Sequence, residues 1–405
     1  MGTIKVVGAG FSGLVTAYYL VKAGFNVRIV DGACRAGGML KTIRTDHGLV
    51  ETAANGIRNS ARLEALCADI GVPLQATRRE ARARFIYRDH PRRWPLDFSE
   101  MFDLLFRTTT NVAKLRPRSF ESIADWGQRV IGAGATDYFL SPALGGIYAG
   151  DPKALSASLL FRRVRLPDEL RVAPPGRPKP KLRGTVAPPE GMQQLTDRLS
   201  TYLRQAGVDF SFNQLARAQP GETTAICTSV RGAAEYLTDI APELSRQLAK
   251  IELLPLVTAT CFYSAQPKTL RGFGCLFPRD QGFRALGVLF NTFIFEGRCR
   301  GHSETWILGG ALDREVLQLD DQALQQLIAA ERQHLYGRHD AVLAIHITRW
   351  PAALPHYSIE LERILSTLPS VPPQVGLVGN YLGRIGLSGI IERAAEVAGK
   401  FRNKV

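Results

Sequence analysis

The sequence predicts an α/β protein with a Rossmann-type nucleotide-binding domain, a second domain built on a β-sheet, and a helical subdomain. Three observations carry this. Near the N-terminus a glycine-rich turn joins a short apolar strand to an apolar-striped helix. Near the C-terminus a second strand, glycine-rich turn and helix follow one another. Between them, segments rich in Val, Ile, Thr and Phe alternate with Gly and Pro, a pattern of short strands and turns.

The first element is "TIKVVGAGFSGLVTAYYLVKAGFNVRIVDG". Ile4, Val6 and Val7 read as a buried strand, and Gly8, Gly10 and Gly13 complete G-x-G-x-x-G. Leu14, Ala17, Tyr18 and Val21 form one stripe of the following helix, which Gly24 ends. The glycines allow a tight turn, close approach to a pyrophosphate, and helix–strand packing. The helix N-terminus at Phe11 and Ser12 directs free N–H groups at the phosphates. Asp31 ends the second strand, 18 residues past Gly13, and can accept from a ribose. "GACRAGGMLKT" follows, with Arg35, Gly37, Gly38 and Met39, a glycine pair beside a cation.

At the other end, Val375–Val378 reads as a strand, then Gly379 and a glycine-rich turn. The closing helix carries Ile390, Ile391, Ala394, Ala395 and Ala398 on its apolar face. Its N-terminus would stabilise negative charge on a reduced flavin ring.

In the middle, "MQQLTDRLSTYLRQAGVDF" predicts a helix on Met192, Leu195, Leu199 and Leu203, then a strand. "TTAICTSV" (Thr223–Val230) predicts a buried strand. "ELLPLVTATCFYS", "FGCLFPRD", "ALGVLFNTFIF" and "ETWILGGAL" predict the second sheet, and "DDQALQQLIAAERQHLYG" a capped helix with Leu324, Leu327, Ile328 and Leu335 inward. Residues 96–165 read as helical. Phe98, Met101, Phe102, Leu105 and Phe106 read first as helical core, and second as a pocket wall or membrane-facing surface. Ser119 is the expected N-cap of a helix ending at Gly132. Asp151 and Pro152 are expected to open another. Leu166–Gly191 reads as a Pro-rich, basic connector.

The chain has 405 residues, enough for two or three domains. No run of about 18 apolar residues occurs, and the N-terminus lacks a basic leader, so a cytoplasmic location is expected. Lys and Arg number 51 against 37 Asp and Glu, a net charge of +14. That favours an anionic ligand or membrane surface. No nucleic-acid-binding signature accompanies the arginine-dense segment Thr77–Trp94, so nucleic acid is not an expected partner. The six cysteines form no C-x-x-C pair, which predicts free thiols and no metal centre.

The whole chain resembles the FAD-dependent amine-oxidase and protoporphyrinogen-oxidase superfamily. Family-specific likeness lies in "ESIADWGQRVIGAGATDYFLSPALGGIYAGDPKALSASLLF", "APPEGMQQLTDRL", "GFGCLFPRDQGFRALGVLFNTFIFEGR", "RWPAALPHYSIE" and "GNYLGRIGLSGII". The resemblance implies FAD held by Gly8, Gly10, Phe11, Ser12, Gly13, Asp31, Arg35, Gly37, Gly38, Met39, Asn55, Gly56, Leu215, Gly379, Ile385, Gly386 and Leu387. It implies a porphyrinogen substrate and dioxygen as partners, with Arg84 on a propionate and Gly274, Leu276 and Ile307 against the macrocycle. No general acid or base stands out, so the chemistry would be flavin-centred.

It further implies an FAD-binding domain from 1–77, 186–245 and 370–405. The substrate domain is 78–95 and 246–369, and the helical subdomain with its connector is 96–185. Peripheral attachment to an anionic membrane through the basic and apolar helical surface, on the inner face of the cell membrane, and a homodimer are further expectations. The chain departs from the pattern at Asp31, where glutamate is usual, at Asn55 in "ETAANGIRNS", and at Arg384, where glycine is common. Four readings follow: protoporphyrinogen IX oxidation in haem biosynthesis, coproporphyrinogen III oxidation, another oxidoreductase of the superfamily, or a non-catalytic FAD- or porphyrin-binding protein.

Overall fold

The computed structural model describes residues 2–110, 115–161, 179–219 and 221–403. Ile4, Val6 and Val7 have no polar face because their strand, Thr3–Val7, is covered on both sides. It lies at the centre of a five-stranded parallel sheet. The order is Asp209–Ser211, Asn26–Val30, Thr3–Val7, Thr224–Ile226, Val375–Leu377. Helix Phe11–Lys22 buries Phe11, Leu14, Val15, Ala17, Tyr18 and Leu20. It packs against helix Gln193–Gln205 and the closing helix Leu387–Arg402. Segments from the start, middle and end of the chain therefore share one apolar core.

The second sheet has seven strands, in the order Ala344–Pro355, Leu253–Tyr263, His302–Gly309, Gly287–Leu289, Gly274–Leu276, Phe85–Arg88, His90–Arg92. Side chains alternate between its faces. Phe85, Cys275, Val288, Trp306, Ala259 and Cys261 pack on one face against Leu324, Ile328 and Leu335 of helix Asp321–Tyr336. Asp320 caps that helix, its carboxylate accepting from Ala323 N at 2.7 Å. The other face looks toward the nucleotide-binding domain: Phe273 and Leu289 pack against the core that includes Ile294, Phe295 and Val378.

Several sequence expectations need correction. Strand Thr224–Ile226 is shorter than Thr223–Val230, because Ser229 accepts from Gly232 N and caps helix Val230–Leu237. Within "FNTFIF", Asn291–Ile294 makes a helical turn. The N-cap before helix Ile123–Val130 is Ser122, accepting from Asp125 N at 2.9 Å, and not Ser119. Asp151 and Pro152 open no helix: Asp151 Oδ1 closes a turn on Lys153 N, and Ser156 caps the helix that follows. Strand Ala344–Pro355 was not anticipated, because its burial is intermediate along most of its length and hides the alternation.

The apolar stripe on helix Phe98–Thr110 is not core. No residue of that helix is buried, and Phe98, Phe102, Leu105 and Phe106 are among its most exposed side chains. Residues 162–178, which include 166–178 of the Pro-rich connector, lie outside the described residues. Among the described residues no helix is long and apolar enough to cross a membrane. All six cysteines are free, and Cys67, Cys227, Cys261 and Cys275 are buried.

Beneath helix Asp321–Tyr336 lies a buried ionic network. Glu304, with no exposed surface, accepts from His302 Nε2 (2.8 Å), Tyr336 Oη (2.8 Å), Trp306 Nε1 (3.2 Å) and Arg332 Nε (3.1 Å). Burial alone would raise its pKa; the His302 hydrogen bond and the Arg332 charge reverse this and hold it below the ordinary glutamate range. Because the folded-state pKa is depressed, this stabilisation is complete above the ordinary range and is lost as pH falls through the folded-state value. Glu304→Gln leaves Arg332 without its buried counter-charge and is expected to cost about 3–5 kcal/mol. The more exposed Arg284–Asp313 pair is worth about 1 kcal/mol or less, so Asp313→Asn serves as the reference. Urea midpoints of the two variants check this.

Candidate functional site

The first candidate site forms where the parallel sheet reverses its winding. Gly8 N donates to Val30 O and Cys227 N to Val7 O, both at 2.8 Å. Strand Thr3–Val7 thus has a neighbour on each side, and a crevice opens at its carboxyl end. Gly8 has φ +104°, a left-handed conformation. A Cβ on Gly13 would lie 1.7 Å from the Gly8 carbonyl oxygen, so helix and turn touch backbone to backbone. Phe11 is buried and Ser12 half-buried in the helix's first turn, whose N–H groups face the crevice rather than a preceding turn.

The second glycine pair is stitched to this turn. Gly37 N donates to Ala9 O at 2.9 Å, and a Cβ on Gly38 would come within 3.0 Å of Gly10 Cα. Asp31 Oδ2 accepts from Ala9 N and Oδ1 from Ala33 N at 2.7 Å, which fixes the carboxylate at the strand end. Each oxygen retains acceptor capacity for a ribose hydroxyl. Arg35 is exposed, its Nη1 on Ala36 O at 3.2 Å, and Met39 is 40% exposed. Leu215 is 82% exposed and lies against Gly32, one residue past Asp31. Gln214 N holds it there by donating to Asp31 O at 3.1 Å. An apolar platform beside a ribose acceptor suits an adenine.

The closing helix supplies the other end. Tyr381 packs under Gly379, where a Cβ would meet its ring at 2.1 Å. Ile385, Gly386 and Leu387 are partly or fully exposed, and Gly386 gives the helix no side-chain cap. Its N-terminal N–H groups and positive end are left for a ligand. Arg384 lies against Gly389 in the first turn, and its charge reaches Glu396. Gly56 is enclosed by Thr185 and Phe295, at 2.9 and 3.1 Å from an added Cβ. Asn55 lines a cavity of about 10 Å³ with Glu51, Asn291 and Arg298. The glycine cradle, the exposed leucine, the acid and the uncapped helix together fit FAD.

Arg298 is a residue the sequence did not single out. It is buried, and its Nη1 pairs with Glu51 Oε1 at 2.6 Å. Glu51 also accepts from Thr42 Oγ1 (2.8 Å) and Met192 N (2.9 Å), tying three chain segments together. The partners are 247 residues apart, and no local pattern links them.

Gly274, Leu276 and Ile307 meet on the second sheet. Leu276 pairs with Gly287, Gly287 with Ile307, and Ile307 with Thr258, in one row across the strands. This row lies on the face opposite helix Asp321–Tyr336. Thr258 Oγ1 donates to Thr52 O at 3.3 Å, so the Glu51–Asn55 segment borders the same face. Gly274 is fully enclosed: a Cβ would lie 2.2 Å from Val288 O. Leu276 sits under helix Ser141–Tyr148, 2.4 Å from where a Gly146 Cβ would be. Ile307 packs with Ala149, Leu254 and Leu286.

Arg84 is exposed just before strand Phe85–Arg88, with its guanidinium 4.5 Å from the Phe273 ring centre. Among the described residues it has no carboxylate partner. Two variants separate fold from binding. Gly13→Ala forces helix from turn and is expected to lower thermal stability along with FAD content. Asp31→Ala keeps the fold and loses about 1.5–3 kcal/mol of cofactor affinity. Melting temperature and the flavin-to-protein absorbance ratio read the two effects apart.

Comparison with known proteins agrees with this geometry. The family model of flavin containing amine oxidoreductases matches residues 11–396. The chain is similar to the chloroplastic protoporphyrinogen oxidase of Nicotiana tabacum, 24% identical over 97% of this chain and 84% of that protein. It is likewise similar to the chloroplastic/mitochondrial protoporphyrinogen oxidase 2 of Arabidopsis thaliana, 23% identical over 98% and 92%. Cyclohexylamine oxidase from Brevibacterium oxydans IH-35A shares the fold, with a TM-score of 0.71 at 13% identity over 99% of each chain. With a family match across nearly its whole length and a crevice shaped for FAD, the chain belongs to the flavin containing amine oxidoreductases and is an FAD-dependent oxidase.

Proposed function

We propose that this oxidase converts protoporphyrinogen IX to protoporphyrin IX in haem biosynthesis. Six electrons leave the substrate as three hydride equivalents with three protons, and three dioxygen molecules become three hydrogen peroxide. FAD held at the crevice supplies the two-electron acceptor for each round. The observation that carries this reading is the shared face of the seven-stranded sheet. Leu276 and Ile307 offer an apolar floor there, and Arg84 at its border is a cation with no carboxylate partner among the described residues.

The chain's residues position rather than transfer protons. Arg84 would take one propionate, its plane held by Phe273, whose ring packs against the same core as Leu387. Helix Ser141–Tyr148 and the turn after it wall the apolar side, with Gly146 leaving room for Leu276. This accounts for "GGIYAGDP" as a wall without chemistry of its own.

A four-propionate substrate, coproporphyrinogen III, would draw on more of the arginine-dense segment. Arg78, Arg88 and Arg92 are instead engaged with Glu80, Glu100 and Asp89. With three of the segment's seven arginines so engaged, fewer cations remain for four propionates.

The exposed stripe on helix Phe98–Thr110 supports a peripheral membrane attachment on the cytoplasmic side. Phe98, Phe102, Leu105 and Phe106 present exposed apolar side chains there, on a chain of net charge +14.

The test is to add anaerobically prepared protoporphyrinogen IX, admit air, and follow porphyrin fluorescence against a protein-free control. A saturable rise above autoxidation is expected; no rise from FAD-loaded protein would overturn the reading. Arg84→Ala is expected to raise KM about tenfold or more with kcat little changed. Phe102→Asp combined with Phe106→Asp is expected to abolish co-sedimentation with anionic vesicles while leaving turnover of soluble substrate intact.

A further inference from the structure

On the helix-covered side of the seven-stranded sheet, away from the flavin crevice, lies a cavity of about 340 Å³. It opens between helix Asp321–Tyr336 and the segment leading into strand Ala344–Pro355. Cys261, Ile328 and Ile345 contribute an apolar floor, and Arg332, Arg338 and His339 a basic wall. The size is at the small end of the range for ligand pockets, roughly 300–1,000 Å³.

Arg332 makes this more than a surface hollow. It is 2% exposed, and its guanidinium stacks 3.8 Å from the Tyr263 ring centre. Nε donates to Glu304 and Nη1 to Asp340, but among the described residues Nη2 has no hydrogen-bond partner. A buried donor left unsatisfied costs about 1–3 kcal/mol, so the site calls for an acceptor.

The local charge says which kind. Glu304 is already shared among four donors. Asp340 is shared by Arg332 and Arg338. Two guanidinium groups therefore face the cavity region with one carboxylate between them, and His339 stands beside them.

We propose that this cavity is a second binding site, for a small organic monocarboxylate whose apolar body lies on Ile328 and Ile345 and whose carboxylate accepts from Arg332 Nη2. Arg338 is 44% exposed and forms the rim cation. Gln325, Gln326 and Gln333 on the exposed helix face would hydrogen-bond a polar outer end.

The test uses the FAD-loaded full chain and hexanoate as probe, with hexanamide as the neutral control, read by ligand-observed NMR and calorimetry. Ala329→Trp fills the cavity from an exposed position on the helix, and Arg338→Glu reverses the rim charge; neither touches Glu304. Saturable hexanoate binding, weakened about tenfold or more in both variants and absent for hexanamide, is expected. Unchanged melting temperature and flavin spectrum establish that the variants are folded. Equal binding of hexanamide, unchanged hexanoate affinity in the folded variants, or no binding up to about 10 mM would overturn the proposal and leave water as the partner of Arg332.

Discussion

The contact of Gly13 with the Gly8 carbonyl is the constraint on which the rest depends. With no room for even a methyl group between them, helix Phe11–Lys22 lies directly on the first strand. That helix then becomes the central post of the nucleotide-binding domain, against which helices from the middle and end of the chain pack. The same contact directs the helix's free N–H groups into the crevice, where Asp31 and the Gly37–Gly38 turn are drawn in by hydrogen bonds to Ala9. Packing and cofactor site are thus one arrangement: backbone near enough to seal the core is backbone near enough to meet a pyrophosphate.

The seven-stranded sheet divides its work by the alternation of side chains. One face carries Trp306, Cys261 and Cys275 and is sealed by helix Asp321–Tyr336. The other carries Leu276, Gly287 and Ile307 toward the flavin side. On a single strand, His302–Gly309, Glu304 and Trp306 serve the buried ionic network while Thr305 and Ile307 look the opposite way. The basic cavity at Arg332 and the row at Leu276 are therefore on opposite faces of the same layer.

Charge is handled in two ways, in sealed buried pairs and on the surface. Glu304 and Arg332 are sealed within a hydrogen-bonded network, and Arg298 and Glu51 form a second buried pair next to Asn55. A buried pair of this kind is expensive to break from one side and gives little over an apolar replacement, so its value lies in registering segments distant in sequence. Arg298 and Glu51 do this between the sheet domain and the strand entering the flavin site. The surface arginines of Thr77–Trp94 behave otherwise: Arg78, Arg88 and Arg92 are tied to nearby carboxylates, while Arg84 lies over the Phe273 ring.

The sequence alone determined the elements whose information is local. G-x-G-x-x-G, the acid at Asp31 and the stripe Met192, Leu195, Leu199 and Leu203 each follow from spacing, because turns and amphipathic helices are set by near neighbours. So does a dinucleotide as the cofactor, since the motif and its strand–helix setting occupy one short stretch, whereas FAD in particular came from likeness along the whole chain. Only the tertiary structure decided where Arg298 finds Glu51, because a pair 247 residues apart leaves no periodic trace. It also reversed the reading of Phe98–Phe106: an apolar stripe looks the same whether a core or the outside covers it, and only packing distinguishes them. Ser119 and Ser122 are equally good caps as residue types, and the backbone angle at Ser122 chose between them. The row Leu276–Gly287–Ile307 exists only once strands are in register, because strand pairing across dozens of residues is a property of the whole sheet and not of any one segment.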